Sequence, residues 1–226
     1  MSETGAPNPL LYQRPNPNSL VEPPATPPPA AYKPTKRDLK AVWAYQGGGS
    51  DVMNRYAAGH DISDEYAPSE LGGDLKRVPR AVADLKSAIG RSPLARDMLL
   101  YRGFFDPRER LTSQPVGAVV SMPGFLSTSK SEEEARTRGM IAWMRHNEVP
   151  AGKEPPDYDE RARRESWLMH VAAPAGSRAL DLNAVNEAHG HKSFENEHEV
   201  LFAPGQKARV EHVDPVQRLM RIRVMK

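Results

Sequence analysis

The chain has 226 residues, 38% of them hydrophobic, enough for one modest core rather than two. Lys and Arg number 31 against 29 Asp and Glu, and a net charge of +2 does not by itself argue for a nucleic-acid binder or a polybasic membrane ligand. Cysteine is absent, which excludes disulfides, thiolate metal sites and a cysteine nucleophile; no apolar run approaches the ~18 residues of a spanning helix, and the start lacks the features of a secretory signal.

Ten of the 22 prolines fall within the first 34 residues. Such a stretch lacks backbone donors and buries too little surface to offset the entropy of ordering. Residues 1–35 are therefore expected to form a flexible, proline-rich leader, either a plain linker or a docking segment for a secretion chaperone or another partner. From Thr35 the pattern changes. Leu39, Val42, Trp43 and Tyr45 recur at helical spacing up to Gly47-Gly48-Gly49, a second short helix over Asp51–Ala58 follows Ser50 as its N-cap, and Val82, Leu85 and Ile89 give a third helix one apolar face. Together these form a small helical lobe.

After Asp97 the pattern becomes mainly strand-like. Met98–Tyr101 and Gly117–Met122 are short apolar runs, and Ser131 with Glu134 reads as a capping box opening a helix to about His146. Asn147–Arg164 reads as an exposed insertion. Strands are expected at Trp167–Val171, Ala179–Leu182, Val200–Phe202, Lys207–Val213 and Leu219–Met225, the last alternating Leu219, Arg221, Arg223 against Met220, Ile222, Val224. Helices first and strands after, without βαβ alternation, indicate an α+β fold with mostly antiparallel pairing.

Three short motifs stand out. Arg102, in Tyr101-Arg102-Gly103, either forks onto a phosphate or makes an edge-strand ion pair, and Gly103 lets a ligand approach the backbone. The hydroxyls of Phe125-Leu126-Ser127-Thr128-Ser129 either orient a carboxylate or serve a turn. In Phe194-Glu195-Asn196-Glu197-His198-Glu199, an extended chain would place Glu195, Glu197 and Glu199 on one face, as a reactive cluster or as a solvated edge, with His198 on the other.

In this order the three motifs resemble those of the arginine–serine–glutamate class of mono-ADP-ribosyltransferases, which includes bacterial toxins and effectors and vertebrate ecto-enzymes. The likeness extends upstream to Tyr45, the Gly-Ser stretch ending at Ser50, Asn54, and Ser92-Pro93-Leu94. It covers roughly Lys36–Val224, so the domain is expected to span residues 36–226. Two departures are visible: Ala57-Ala58 stands where the family often has Leu-Arg, and the 148–164 insertion is not part of the common core. The fold implied is ADP-ribosyltransferase-like, an N-terminal helical lobe plus two packed, mostly antiparallel sheets around an NAD cleft.

The resemblance implies cleavage of the nicotinamide–ribose bond of NAD and transfer of ADP-ribose to an acceptor through an oxocarbenium-like state, the electronic problem that glycosidases face. Glu199 would hold the ribose 2′-hydroxyl and stabilise the developing cation, and Ser127 would aim Glu199. Arg102 would anchor the diphosphate side, the Gly103 backbone would meet the nicotinamide amide, and Asn54, Thr128 and Ser129 would support the NAD site. Glu197 occupies the position where glutamate accompanies arginine acceptors, and Phe194 matches the aromatic of the acceptor-recognition turn. Arg55 stands near the missing Leu-Arg, and Arg136 and Arg138, in the helix after the Ser-Thr-Ser strand, either reach the diphosphate or, as expected, lie on a solvated helix face.

Glu187, His189 and His191 lack a recognisable metal spacing, so a loop is expected there and no metal; Trp43, Trp143 and Trp167 are expected in the core. The partners implied are NAD and a protein acceptor in a target cell, without a membrane or nucleic acid, for a secreted bacterial effector or toxin acting in host cytoplasm. An NAD glycohydrolase and a catalytically degenerate binding module are the rival readings.

Overall fold

A computed structural model describes residues 32–147, 157–190 and 198–226. Most of the proline-rich leader, the 148–156 part of the insertion and the Phe194–Glu197 motif lie outside the described residues. Helix α1 (Lys36–Ala44) opens on a reciprocal capping box between Thr35 and Asp38. Its chain does not stop at the glycines. A π-helical turn over Tyr45–Gly49 kinks at Gly47 and Gly48 and leads directly into α2 (Ser50–Ala57), with Gly49 rather than Ser50 at the N-cap. Gly48 takes a φ of 109°, a conformation that strains other residues. α3 (Val78–Gly90) completes the lobe, and all three helices bury their apolar faces in one cluster around Val42, Met53, Leu85 and Ile89.

Eight strands follow: β1 (Met98–Phe104), β2 (Val119–Met122), β3 (Leu126–Ser129), β4 (Trp167–Ala173), β5 (Ala179–Asp181), β6 (Glu199–Phe202), β7 (Gln206–Asp214) and β8 (Leu219–Val224). Helices α4 (Glu132–Asn147) and α5 (Tyr158–Glu165) lie between β3 and β4, and α6 (Leu182–Glu187) follows β5. Hydrogen bonding joins the strands in the single order β2-β7-β8-β4-β1-β3-β6-β5, all antiparallel except β4 with β8. The structure thus has one mixed eight-stranded sheet where two packed sheets were expected; its β2-β7-β8-β4-β1 and β3-β6-β5 halves meet at the pair Tyr101↔Ser129. A second buried cluster draws on both halves, Leu100, Met169 and Ile222 from one and Leu126, Val200 and Phe202 from the other. Strand β6 is buried on both sides, since Leu201 enters the helical-lobe core instead.

Part of the expected insertion is a packed helix. Ala162 of α5 is fully buried, and Trp143 of α4 donates its indole N–H to Glu165 at 2.8 Å. Trp143 and Trp167 are buried, and Trp43 packs partly buried against the helical-lobe core. Helix α4 crosses β1 at very short range: a Cβ on Gly103 would lie 1.7 Å from the Ala135 carbonyl oxygen. The missing side chain of Gly103 therefore admits a helix, whereas a ligand was the reason expected from sequence.

Candidate active site

A cleft of about 260 Å³ opens where the helical lobe, the β1/β3 join and α4 meet. Its lining includes Tyr45, Ser50 and Asn54 from the lobe, Tyr101, Arg102 and Gly103 from β1, Ser127–Ser129 from β3, and Glu199 at the head of β6. Arg102, Ser127 and Glu199 are far apart in sequence but meet here because β3 lies between β1 and β6.

The Ser127 hydroxyl donates to Glu199 Oε1 at 2.5 Å, a short charge-assisted bond that fixes the carboxylate. Next to it, Arg102 Nη1 donates to the Ser127 carbonyl at 2.8 Å. Burial lowers the Arg102 pKa, while the charge of Glu199 acts to raise it. An arginine so placed stays charged, and its half-buried guanidinium attracts an anion more strongly than a fully exposed one would. Arg102 also lines a second hollow, toward Phe104, Phe105 and Met122, so it stands between two concavities. Burial likewise raises the Tyr45 pKa, followed by the charge of Glu199; the phenol stays protonated.

The other hydroxyls of β3 have structural partners. Thr128 Oγ1 donates to the Val200 carbonyl at 2.7 Å, stitching β3 to β6, and Ser129 donates to Glu134 at 3.0 Å. Ser131 accepts from the Glu134 N–H at 3.3 Å, which is one half of the capping box. Both ends of the Asn54 amide are engaged: Oδ1 accepts from the Phe125 N–H at 2.7 Å, and Nδ2 donates to the Tyr45 hydroxyl at 3.1 Å. Asn54 therefore ties the helical lobe to the turn before β3, and Tyr45 meets Phe125 edge-on at 5.6 Å.

Several expectations need correction. Arg136 and Arg138 are both exposed, as expected, but Arg138 also lines the cleft, whereas Arg136 pairs with Glu132 at 2.8 Å. Arg55 pairs with Glu65 at 2.7 Å and lines the second hollow. His198 does not continue an extended strand: its φ is 44°, so the chain turns just before Glu199 and the period-two argument for the glutamates does not carry through it. The His189 ring bonds to the Val185 carbonyl at 3.0 Å, and Glu187 is exposed.

Two polar cleft residues were missed from sequence. Gln46 lines the cleft and accepts from the buried Asn186 of α6 at 3.0 Å, and Glu134 joins the floor through Ser129. Gln46 belongs to no local motif, and Glu134 was read only as half of a capping box; the fold brings both to the cleft.

No protein-family model and no curated protein sequence matches the chain. Its fold does match solved structures. The Vis toxin, an ADP-ribosyltransferase from Vibrio splendidus, shares 22% identity over 85% of this chain and 74% of its own, with a TM-score of 0.57. C3stau2 from S. aureus, solved with NAD, shares 14% over 87% of this chain and 90% of its own, with a TM-score of 0.55. An ADP-ribosyltransferase from Clostridium botulinum shares 11% over 86% of this chain and 89% of its own, with a TM-score of 0.55. The chain has the ADP-ribosyltransferase fold.

Proposed function

We propose that this chain transfers ADP-ribose from NAD to an arginine side chain of an acceptor protein. The observation that carries this reading is the Ser127-to-Glu199 hydrogen bond beside the half-buried Arg102, in one cleft on this fold. A carboxylate held by a neighbouring hydroxyl is the group that an oxocarbenium-like state requires. Glu199 would accept from the ribose 2′-hydroxyl and face the positive charge that grows as nicotinamide leaves. Arg102 would hold the diphosphate, and Arg138 of α4 supplies a second cation to the cleft.

The arginine acceptor rests on Glu197 and Phe194, and on chemistry. A protonated guanidinium is a poor nucleophile, and a second carboxylate can pair with it and draw off a proton. Vis, at 21% identity and a TM-score of 0.58, is solved in complex with agmatine, whose guanidinium is that of arginine. Delivery into a target cell as a toxin or effector belongs to the same proposal, supported by the toxin neighbours.

Incubation with labelled NAD and agmatine, with mass spectrometry of the product, tests this reading. ADP-ribosyl-agmatine should form; Glu199→Gln should lose both transfer and nicotinamide release, at least a hundredfold. Glu197→Gln should lose transfer and keep NAD hydrolysis. Nicotinamide release without any adduct would identify a glycohydrolase, and no NAD binding in calorimetry would identify a degenerate member.

A further inference from the structure

The outward face of the β2-β7-β8-β4-β1 half carries a cross-strand row that the cleft does not use. Val119 lies opposite Arg209, Arg209 opposite Arg223, Arg223 opposite Ala172, and Ala172 opposite Leu99. Cross-strand partners project to the same side. The reverse side of these strands faces the core, where Val120, Val210, Ile222, Val171 and Leu100 lie. Both ends of the row are aliphatic and open, Val119 at 50% and Leu99 at 52% exposure, and the arginines between them are exposed. Lys207 and Arg221, two residues from Arg209 and Arg223 along their strands, project to the same side. Arg136 of α4 borders it, its charge reaching His170, the partner of Arg221.

Two carboxylates answer these five cations: Glu211 pairs with Arg223 at 2.5 Å and Glu132 with Arg136 at 2.8 Å. Among the described residues Lys207, Arg209 and Arg221 make no ion pair. With Asp214, which lies opposite Leu219 on the same side, the face carries an excess of two positive charges in a chain whose net charge is +2. Arg209 directly opposite Arg223 is a like-charge pair, which destabilises a sheet. Glu211 neutralises the Arg223 side of it, and an external anion at Arg209 would remove what cost remains.

We propose that this face docks onto an anionic lipid bilayer. Aliphatic side chains bracketing a cationic strip suit the headgroup boundary, where the cations meet anionic lipid and the aliphatics leave water. Val116, 66% exposed just ahead of β2, extends the apolar rim. An acidic protein or a nucleic acid would engage the cations and leave these aliphatic side chains wet. The inference stands apart from the reading of the cleft, but the two are neighbours. Tyr101, which lines the cleft, is two strands from Arg221, or about 10 Å. Docking would hold the cleft beside the lipid and favour acceptors found there.

The test sediments the full chain with phosphatidylcholine vesicles, with and without phosphatidylserine, at two salt concentrations, with NAD cleavage recorded in parallel. Binding is expected only with phosphatidylserine and should weaken as salt rises. Arg209→Glu and Arg221→Glu should each weaken it about fivefold or more. Because Arg209→Glu sets a carboxylate opposite Arg223, its melting temperature should hold or rise, which separates lost docking from lost folding. Leu99→Ser with Val119→Ser should weaken binding and leave its salt dependence in place. NAD cleavage should be unchanged in all of them. Equal binding to neutral vesicles, no binding to either, or full binding by Arg209→Glu would overturn the proposal. So would retention of oligonucleotides or polyglutamate without vesicle binding.

Discussion

Replacing Gly103 with alanine puts a methyl group where two backbones already touch. Its Cβ would lie 1.7 Å from the Ala135 carbonyl oxygen and 2.5 Å from the Gly139 nitrogen, both main-chain atoms of α4. A side chain could swing away, but these atoms can yield only if strand and helix part by roughly 2 Å to reach ordinary contact. Overpacking a close-packed interior costs about 1–3 kcal/mol, and the need to move backbone puts this variant at about 3 kcal/mol or above. For a domain of this size that lowers Tm by about 6–12 °C. Arg102 and Arg138 immediately precede the two touching glycines, so separation also widens the cleft and should raise KM for NAD. Gly139→Ala meets Gly103 Cα at 3.1 Å, where a few tenths of an ångström suffice, and the better helix propensity of alanine offsets part of the cost. Gly90→Ala at the end of α3 meets nothing within 4 Å and should be neutral or mildly stabilising. Thermal unfolding of the three variants, with NAD cleavage measured in parallel, checks the order. A Gly103→Ala protein that melts with the parent would refute the reasoning.

The remaining predictions concern single polar contacts. Ser127→Ala leaves Glu199 without its 2.5 Å donor and should lower kcat about a hundredfold with little change in Tm; an unchanged kcat for nicotinamide release would remove Ser127 from the mechanism. Asn54→Ala unties Phe125 and Tyr45 and should cost about 1–3 kcal/mol, whereas Asn54→Asp keeps the acceptor for the Phe125 N–H and should cost less; urea unfolding ranks the two, and the reverse order would contradict the assignment. Asp38 is buried, which would raise its pKa, but the Thr35 N–H, the Tyr32 hydroxyl and the Arg91 guanidinium outweigh this and hold it below the ordinary carboxylate range. With the folded pKa below the unfolded one, its stabilisation is complete above about pH 4 and is lost as pH falls through the folded value. Asp38→Asn should therefore melt lower at neutral pH and converge on the parent in acid; parallel Tm–pH curves would count against this.

Arg102, Ser127 and Glu199 were legible in the sequence because each sits in a short motif whose chemistry needs no knowledge of distant chain. The partners of Asn54, Gln46 and Gly103 were not. Those roles depend on contacts across 71, 140 and about 32 residues, which no local window registers. Periodicity located most strands but could not say that β4 and β8 run parallel, because strand polarity is set by the connections. The charged run over 157–165 looked like solvated loop, yet Ala162 gives it one small contact face against α4, too slight a signal for periodicity. At His198 a left-handed residue broke the alternation that an extended reading assumes, and composition gave no warning of it.

Strand β6 has no free side: Val200 and Phe202 enter one core, Leu201 enters the other, and Glu199 heads the same four residues. A volume change in either interior shifts the strand and, with it, the carboxylate. Selection on reaction rate would therefore act on hydrophobic residues that never touch a substrate, and a drifting lineage would be expected to lose turnover before it loses its shape.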